Sequence, residues 1–438
     1  MPPLRVAIAG LGTVGCGVVA LLQKNHGLIQ ARIGRALTLC GVSSATKNKK
    51  RPVPVDAIPW YDDPCRMVDD SACDIVVELI GGADGIALHL ATHALNKGCG
   101  VVTANKALLA HHGNTLMALA SKNKVALAFE AAVAGGIPII KTLTESMAGN
   151  HIARITAILN GTCNYILSSM TSQKRSFEDV LQEAQALGYA EADPRFDIDG
   201  IDAAHKLAIL SSLAWGTNIA LEQLSIQGIG SVTPEDISLS SDMGYTIKHL
   251  ARAYPTKDNV IHQSVCLCLV PKVSALASVD GVFNAVVLTS DFCGTLTLVG
   301  QGAGGDATAS SVVSDMIAIA RTTPPPAHTG YSQIITPVSP TPDLDTQAYY
   351  LHLKAKDSPG VLADIASILG KEHISIESAL QKAAEDHRLQ SSCPVDLLIT
   401  THRSPSHAIS KALRHLETLP TILAPPRFFP IHSEASTI

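Results

Sequence analysis

The chain has 438 residues, of which 46% are hydrophobic and 16% are charged, and its formal net charge is −5. This length predicts two or three domains with large apolar cores, and the composition argues against global disorder. The acidic balance and a single short basic patch argue against nucleic-acid binding. The longest apolar stretch, residues 125–140, is interrupted by a glutamate and two glycines, so no membrane span is predicted.

The ten cysteines have no paired spacing, and no apolar signal segment precedes the first predicted strand. We therefore expect free thiols in a cytoplasmic protein rather than disulfides. Cys266 and Cys268 lie two residues apart in a predicted strand, which would point both side chains to one face.

Short apolar segments at 4–9, 36–42, 74–80, 100–103 and 125–129 alternate with helical patterns. Near-continuous apolar strands separated by helices are typical of a parallel sheet covered on both faces. We therefore predict an α/β fold that begins with a doubly wound Rossmann domain, with its ligands at the carboxyl ends of the strands.

The Rossmann domain is expected over residues 1–136, completed by a helix at 305–321. Residues 137–304 predict a mixed α+β domain for substrate binding and dimerisation, followed by a Pro-rich linker at 322–346. Residues 347–425 have the strand–helix–strand–strand–helix–strand order of a ferredoxin-like module.

A glycine turn follows the first strand and precedes a helix. Gly10 permits the tight turn, Gly12 lets the backbone approach a pyrophosphate, and Gly15 allows close helix–strand packing. Thr13 and Val14, inside the turn, lie at a helix N-terminus, which favours an anion. The pattern predicts a nicotinamide dinucleotide site, and a purely structural turn is the alternative.

The end of the second strand is where such domains choose between NAD and NADP. Ser43 and Ser44 occupy this place, and four basic residues follow: Lys47, Lys49, Lys50 and Arg51. Hydroxyls and cations suit a 2′-phosphate, so NADP is favoured, with NAD as the other candidate. A solvated basic loop without cofactor contacts is the alternative interpretation.

Five acidic residues fall within twelve positions of a chain otherwise sparse in charge: Glu191, Asp193, Asp197, Asp199 and Asp202. Asp202 and Lys206 are four residues apart in a predicted helix, so they share one face. A surface ion pair would have the same spacing. This helix is so apolar, however, that its charges are expected to be buried for a functional reason.

These residues supply the groups that reduction of an amino-acid aldehyde requires. Glu191 would pair with the substrate ammonium group, and Lys206, kept protonated by carboxylates, would be the general acid for the developing alkoxide. Oxidation would then be favoured at alkaline pH. Lys106, after the fourth strand, would bind the substrate carboxylate, polarise the carbonyl or contact the cofactor, unless Asn105-Lys106 only caps a helix.

Seven segments together resemble the homoserine dehydrogenase family over residues 4–320. They are GLGTVG (10–15), ELIGG (78–82), TANKALLA (103–110), FEAAVAGGIPII (129–140), LNGTCNYIL (159–167), EAQALGYAEADPRFDIDGIDAAHK (183–206) and GQGAGG (300–305). The resemblance implies reversible, NAD(P)H-dependent reduction of L-aspartate 4-semialdehyde to L-homoserine, on the route to threonine, isoleucine and methionine.

The resemblance also implies roles for single residues. Lys206 corresponds to the proton donor, and Lys106 to a catalytic lysine that also binds substrate or cofactor. Glu191 corresponds to the ligand of the substrate amine, with Asp197 and Asp202 as supporting acids.

Two further cofactor contacts, Thr103 and Gly302, follow from the same resemblance. Two positions depart from the family pattern: Cys16 stands where serine is frequent, and His205 stands where arginine is common. A neighbour one residue from the catalytic lysine is expected to face elsewhere on its helix.

Residues 129–140 resemble the family's monovalent cation site. Glu130 and the main-chain oxygens of Val133, Gly135 and Ile137 would hold sodium, or else potassium, because hard cations prefer oxygen ligands. An interdomain hinge at the same glycines is compatible with this role.

The C-terminal module resembles an ACT domain, with Asp357 and Gly360 in the turn that opens its first helix. In that family this turn helps to form an amino-acid pocket, usually between paired domains. Feedback by threonine and a homodimer or homotetramer are therefore expected, and an ACT fold kept only for dimerisation is the alternative.

Two other functions compete with this interpretation. An aspartate-semialdehyde dehydrogenase would need a nucleophilic cysteine, for which Cys163 is the candidate near a strand end. A catalytically inactive amino-acid sensor would use only the cofactor and ACT pockets. Neither function would use the lysines and carboxylates.

Overall fold

The computed structural model describes residues 2–321, except 257 and 259, together with 346–382 and 394–433. The Pro-rich linker expected at 322–346 lies outside these residues, apart from Thr346. Among the described residues, no helix combines the length and the apolar character that crossing a bilayer would require.

The N-terminal domain is built on a six-stranded parallel sheet. Its strands are β1 (Leu4–Ala9), β2 (Leu37–Ser43), β3 (Trp60–Tyr61), β4 (Ile75–Glu78), β5 (Gly100–Thr103) and β6 (Leu127–Ala128). Their spatial order, β3-β2-β1-β4-β5-β6, is that of a doubly wound dinucleotide-binding fold, which confirms the predicted fold class.

Helices cover both faces of this sheet. They are α1 (Thr13–Lys24), α2 (His26–Ile33), α3 (Pro64–Ser71), α4 (Ile86–Asn96) and α5 (Lys106–Asn123). Consecutive residues of β1, Val6, Ala7 and Ile8, are fully buried, as a central strand covered on both sides requires.

The second domain pairs a mostly antiparallel sheet with a group of helices. Its strands are β7 (Ile152–Ile158), β8 (Ser225–Ile226), β9 (Tyr245–Pro255), β10 (Ile261–Pro271), β11 (Phe283–Ser290) and β12 (Gly294–Gln301). Their order is β12-β11-β7-β9-β10-β8.

The helices of the second domain are α6 (Ile139–Lys141), α7 (Gly161–Gln173), α8 (Phe177–Ala186), α9 (Arg195–Ile198), α10 (Ile201–Trp215) and α11 (Pro234–Asp242). Short 3-10 or π turns lie at Glu130–Ala132, Thr142–Ser146, Leu221–Gln223 and Ala275–Ser278. Helix α12 (Gly305–Arg321) returns to the first domain, where Val312 and Met316 share a core with Val6 and Ile8.

The C-terminal module has the ferredoxin-like order that the sequence predicts. Its strands are β13 (Thr346–Gln347), β14 (Tyr349–Lys356), β15 (Ile376–Lys382), β16 (Pro394–Thr401), β17 (Ser404–Pro405) and β18 (Arg427–Pro430), and its helices are α13 (Val361–Lys371) and α14 (Ser406–Glu417). The four-stranded sheet has the order β15-β16-β14-β18. It extends past residue 425, the expected boundary, because β18 pairs with β14.

The C-terminal sheet packs directly on the second domain. Tyr350, Leu398 and Phe429 share one hydrophobic core with Ile166 and Leu167 of α7. Acidic residues of α11 also pair with basic residues of the C-terminal strands: Glu235 with Lys354, Asp236 with Arg427, and Asp242 with Lys382.

Candidate active site

The glycine turn lies at the carboxyl edge of the parallel sheet, where Gly10 N donates to the main-chain oxygen of Ser43 at 2.8 Å. Gly10 has φ +104°, and a Cβ there would lie 2.4 Å from the oxygen of Leu79. A Cβ at Gly15 would lie 2.0 Å from the oxygen of Gly10, whereas one at Gly12 would meet nothing within 4 Å. The chain itself therefore requires the first and third glycines, and the second leaves open space for a ligand.

A cavity of about 270 Å³ opens beside this turn, between the two domains. Val14 lines it from α1, and Gly135 and Gly302 line it from the opposite side. The side chains of Lys106 and Lys206 line the same cavity. Both predicted catalytic lysines therefore face the space in front of the predicted cofactor turn.

Asp202 joins the two lysines. The Lys106 Nζ lies 2.6 Å from Asp202 Oδ1, and the Lys206 Nζ lies 2.7 Å from Asp202 Oδ2. Lys206 also donates to the main-chain oxygen of Leu159 at 2.7 Å. Lys206 is buried, whereas 35% of the Lys106 side chain is exposed.

The charges of this cluster stabilise one another. Burial opposes ionisation of Asp202, but the ammonium groups of Lys206 and Lys106 outweigh it and hold the pKa of its carboxyl well below the usual range. Burial lowers the pKa of Lys206, although Asp202 partly opposes that shift. Lys206 is therefore a cation whose proton is easier to release than that of a solvated lysine.

Asn160, which was not among the predicted site residues, links Asp197 to this cluster. Asn160 Nδ2 donates to Asp197 Oδ1 at 2.7 Å and to Asp202 Oδ2 at 2.9 Å. Thr162 Oγ1 donates to Tyr189 O at 2.7 Å and lies 3.3 Å from Asp197 Oδ2. Burial raises the pKa of Asp197, and the hydrogen bond from Asn160 opposes this shift. The sequence Leu-Asn-Gly-Thr at 159–162 could have indicated Asn160, because it places a helix-capping residue at the end of a strand.

Glu191 is not brought into contact with the lysines. Its side chain is exposed, and its main-chain oxygen accepts a hydrogen bond from Gln185 Nε2 at 3.1 Å. Within the described ranges, no cation pairs with the Glu191 carboxylate. It lies in the loop between α8 and α9, which also carries Tyr189.

Thr103 is buried and supports the loop that carries Lys106. Its hydroxyl donates to Glu78 Oε2 at 2.6 Å and accepts from Asn105 N at 3.0 Å. Asn105 Oδ1 in turn accepts from Leu108 N at 3.1 Å. Asn105 therefore caps α5, and Lys106, the first residue of that helix, is directed to the cavity.

The basic loop after β2 is held close to the glycine turn. Arg51 donates to the main-chain oxygen of Lys47 at 3.0 Å, and its guanidinium lies 5.0 Å from the centre of the Trp60 ring. A second cavity, of about 500 Å³, is lined by residues of the glycine turn and of this loop, among them Gly12, Thr13, Lys49 and Lys50. Ser43, by contrast, is buried beneath the turn.

Glu130 belongs to a second buried acidic cluster. Its carboxylate accepts from Ile140 N at 2.7 Å and from Lys141 N at 2.9 Å. Asp315, also buried, accepts from Glu130 N at 2.8 Å and pairs with Lys141 Nζ at 2.8 Å. Burial, together with the charge of Asp315, raises the pKa of Glu130 to about 7.

The predicted cation ligands surround this cluster only in part. Val133 is fully buried next to it, but the oxygen of Gly135 accepts from Ser311 Oγ at 2.7 Å, and that of Ile137 accepts from Ile139 N at 2.8 Å. A cation would share these oxygens with the existing hydrogen bonds. No group of three or more His, Cys, Asp or Glu side chains that could hold a metal occurs in the described part of the chain.

The ring of His205 packs against other rings, and Phe196 lies between it and Lys106. Its ring makes edge contacts with His111, at 5.3 Å between centroids, and with Phe196, at 5.4 Å. Phe196 in turn lies 5.6 Å from Lys106 Nζ. Burial lowers the pKa of His205 to about 4, so its imidazole is neutral at pH 7 and adds no charge to the site.

Cys163 is not placed for nucleophilic catalysis. It is fully buried, and burial together with Asp197 raises the pKa of its thiol well above the ordinary value. Its Sγ donates to the main-chain oxygen of Asp197 at 3.2 Å. A protonated, hydrogen-bonded thiol removes the basis for a thioester mechanism here. The cysteines in the described ranges are all free, and Cys266 and Cys268 point to one face with sulfurs 3.6 Å apart.

The turn between β14 and α13 has the geometry that the C-terminal resemblance predicts. Gly360 has φ +94° and precedes α13, where a residue with a side chain would be strained. Asp357 is exposed, and its Oδ1 accepts from Gln381 Nε2 at 3.2 Å.

Comparison with known proteins assigns the whole chain. Family models match the "Homoserine dehydrogenase, NAD binding domain" at residues 10–130, "Homoserine dehydrogenase" at 138–317 and the "ACT domain" at 349–420. The homoserine dehydrogenase of Pseudomonas aeruginosa is 42% identical over 432 residues, which cover 97% of this chain and 98% of that protein. The chain belongs to the homoserine dehydrogenase family. It is therefore an NAD(P)-dependent oxidoreductase that acts on small molecules, as the sequence predicts.

Solved structures agree with this assignment. A homoserine dehydrogenase from Thiobacillus denitrificans matches with a TM-score of 0.90 and 39% identity, covering 98% of both chains. A hyperthermophilic archaeal homoserine dehydrogenase, solved in complex with NADPH, matches with a TM-score of 0.62 and 28% identity over 72% of this chain. The C-terminal module of this chain is an ACT domain.

Proposed function

We propose that this homoserine dehydrogenase reduces L-aspartate 4-semialdehyde reversibly to L-homoserine, in the synthesis of threonine, isoleucine and methionine, with Lys206 as general acid. The observation that carries the proposal is the sharing of Asp202 by Lys106 and Lys206 at the cavity beside the glycine turn. Such a cluster supplies a positioned proton and a positive charge where the carbonyl oxygen gains negative charge.

Each member of the cluster has a distinct task in this mechanism. When bound, the dinucleotide supplies the hydride. Lys206 Nζ gives its proton to the alkoxide oxygen, and its position is fixed by Asp202 and the oxygen of Leu159. Burial favours the neutral amine that remains after transfer. For oxidation the same amine must accept the proton, so the rate of oxidation should rise with pH.

The more exposed groups are suited to substrate binding. Lys106, partly exposed beside the cavity, would bind the substrate carboxylate or polarise its carbonyl. Asp197, at the edge of the cluster, would support binding of the substrate ammonium group. We assign Glu191, whose carboxylate is exposed on the loop between α8 and α9, to the same ammonium group.

NADP is the cofactor that the basic loop favours. Lys49 and Lys50 line a cavity together with Gly12 and Thr13, which supports binding of a 2′-phosphate there. Val14 and Gly302 line the neighbouring cavity and would contact the nicotinamide half. The buried Thr103 and Ser43 would act by shaping the cofactor-binding loops.

A monovalent cation, sodium in preference to potassium, is proposed at Glu130. Glu130 and Asp315 are two buried carboxylates, and one lysine, Lys141, pairs with Asp315, so the cluster carries a net negative charge when both acids are ionised. The main-chain oxygens of Val133, Gly135 and Ile137 would complete the ligand set, since hard cations prefer oxygen.

Regulation by threonine at the ACT domain and assembly into a homodimer or homotetramer are also proposed. The turn at Asp357 and Gly360 supports an amino-acid pocket. Exposed apolar side chains at one side of the second sheet, Phe283 on β11 and Val299 on the edge strand β12, support a face covered by another copy. Free thiols in the described residues support a reducing compartment, the cytoplasm.

The test is steady-state turnover of homoserine with NAD and with NADP, for the wild type and for Lys206→Ala. Turnover of homoserine by the wild type and its loss in the variant would support the proposal. A wild type that leaves homoserine unchanged, or a variant as fast as the wild type, would contradict it. Assays with added threonine, followed by light scattering, address regulation and assembly.

A further inference from the structure

Asn160 is the residue at which the carboxylates of the active site meet. Its side chain is buried, at 4% exposure, directly after β7. One amide nitrogen donates to both Asp197, at 2.7 Å, and Asp202, at 2.9 Å. The preceding oxygen, of Leu159, accepts from Lys206 at 2.7 Å. The end of β7 therefore holds the proposed general acid as well as its two neighbouring acids.

The orientation of the Asn160 amide is fixed by a second contact. Asn160 Oδ1 accepts from Cys163 N at 2.7 Å and so caps helix α7. A flipped amide would place its NH2 group against the N–H of Cys163 and its oxygen against two carboxylates. Both contacts would then be repulsive, so a single orientation satisfies all partners.

The bridge counteracts the repulsion between two neighbouring acids, of which Asp202 is buried and Asp197 is half-buried. Asp197 and Asp202 each disfavour ionisation of the other, and burial raises the pKa of Asp197 while the Asn160 hydrogen bond lowers it. The titratable groups around the pair come from four places in the chain: Lys106 on α5, Cys163 on α7, Asp199 at the end of α9, and His205 and Lys206 within α10. Asn160, which does not titrate, donates to both carboxylates.

We propose that Asn160 is a positioning residue, whose amide holds Asp197 and Asp202 together as a carboxylate pair and so keeps Asp202 in place beneath both lysines. This inference rests on the proposed function of the lysines. It assigns to a helix-capping residue a role in the chemistry that capping alone would not require.

Two substitutions separate bridging from capping. Asn160→Asp keeps the shape and the capping oxygen but replaces the shared donor by an acceptor. Asn160→Ser keeps a short capping oxygen and replaces the two amide hydrogens by the single hydrogen of a shorter hydroxyl, which cannot bridge both carboxylates in the same way. Ser176→Ala is the matched control, because Ser176 caps α8 by accepting from Asp179 N at 3.2 Å and does not contact the carboxylates.

The measurement is the pH profile of kcat/KM for reduction of the aldehyde, together with the melting temperature. In that direction protonated Lys206 sets the alkaline limb, and the carboxylates set the acid limb. Without the donor, Asp197 takes up a proton at higher pH. The acid limb of both Asn160 variants should therefore move up by about one pH unit, the size expected for loss of a hydrogen bond to a charged group. kcat/KM at pH 7 should fall about tenfold or more, and further in Asn160→Asp than in Asn160→Ser.

The Ser176→Ala control should lower the melting temperature and leave the acid limb in place. An Asn160→Ser protein with an unshifted acid limb and a lower melting temperature would reduce Asn160 to a cap and overturn the proposal. If Asn160→Asp does not fold, Asn160→Ser decides alone.

A second readout does not depend on turnover. Carbon-13 NMR titration of labelled aspartate carboxylates should show one resonance, absent from Asp197→Asn, that titrates at higher pH in Asn160→Ser than in the wild type. An unchanged titration would contradict the bridge even in an active enzyme. Wild-type protein that does not oxidise homoserine would instead contradict the proposed function, and the NMR result would still decide on the bridge.

Discussion

Two buried acidic clusters, built from similar side chains, differ in their balance of charge. At the cavity, Asp202 lies between the ammonium groups of Lys106 and Lys206. Near the glycines that follow β6, the ammonium group of Lys141 pairs with Asp315, whereas Glu130 accepts from the main-chain nitrogens of Ile140 and Lys141. Burial opposes ionisation in both places, so the number of cations decides the outcome.

The difference is visible in the direction of the pKa shifts. The two lysines hold the pKa of Asp202 far below its usual range, despite its burial. Burial and Asp315 raise the pKa of Glu130 to about 7. The first cluster is therefore complete without a further ion, whereas the second carries a net negative charge once Glu130 is ionised. The first is suited to proton transfer, and the second to binding a cation.

We expect the largest effect on kcat from substitution of the lysine in the first cluster. Lys206→Ala should lower kcat by at least about a hundredfold, the low end for losing a general acid. Lys141→Met removes the lysine of the other cluster and should lower the melting temperature while kcat changes only a few-fold. Single-substrate kinetics and thermal melts of both variants make the test. Equal losses of kcat would show that the two clusters do not differ in function.

We expect a smaller effect on kcat from substitution of Asp202, the carboxylate that both lysines share. Asp202 raises the pKa of Lys206, so Asp202→Asn should lower that pKa and move the rising limb of homoserine oxidation to lower pH. The maximal kcat should fall about tenfold, because both lysines lose their anchor. The pH dependence of kcat is the measurement. A limb shifted to higher pH would exclude Lys206 as the group that titrates.

The third effect concerns stability at Glu130. Because its folded-state pKa is raised from 4.5 to about 7, the native state holds a proton that the unfolded chain releases. Stability should therefore fall as pH rises from about 5 to 7, with a slope of up to about 1.4 kcal/mol per pH unit. Denaturant melts of the wild type and Glu130→Gln in tetramethylammonium buffers measure this slope, which the variant should lack.

Added sodium gives a second test of the proposed cation site at Glu130. At pH 7.5, added sodium chloride should raise the midpoint of wild-type unfolding more than tetramethylammonium chloride does, because a bound cation stabilises the ionised pair. Glu130→Gln should respond equally to both salts. A wild type without a preference for sodium or potassium over the bulky ion would contradict the proposed cation site.

The smallest effect concerns cofactor choice. Lys49 and Lys50 are exposed, so each should contribute less than about 1 kcal/mol to binding a 2′-phosphate. The double substitution Lys49→Ala/Lys50→Ala should raise KM for NADP about tenfold and leave KM for NAD nearly unchanged. Lys47→Ala, from the same loop, is the control. Equal changes in KM for NADP and for NAD would show that these lysines do not recognise the 2′-phosphate.

Much of the fold is predictable because its signals are local. Strands β1 and β5 have the predicted bounds, since each is a short apolar pattern bounded by turn residues. Strand β9 was not predicted, because its sequence carries Lys248, His249 and Arg252, which are nonetheless buried. Their burial depends on partners from other elements, which no local pattern reveals.

The same limit applies to the site. Lys106, Asp202 and Lys206 follow from a strand end and a helical spacing, and the structure brings them together. The bridging role of Asn160 could not be predicted, because its partners are 37 and 42 residues away. Thr103 was expected at the cofactor, yet its hydroxyl contacts Glu78, a partner on the adjacent strand.

The shared core of the ACT domain and the second domain has a consequence for how this protein can be divided. Leu267 and Leu269 of β10 are fully buried in the core that Tyr350 and Phe429 complete. A chain cut after residue 321 would present those leucines to water, along with an unpaired acidic helix, α11. The C-terminal module thus covers part of the core of the second domain. We expect a truncated protein to aggregate through its exposed apolar surface rather than to remain an active enzyme.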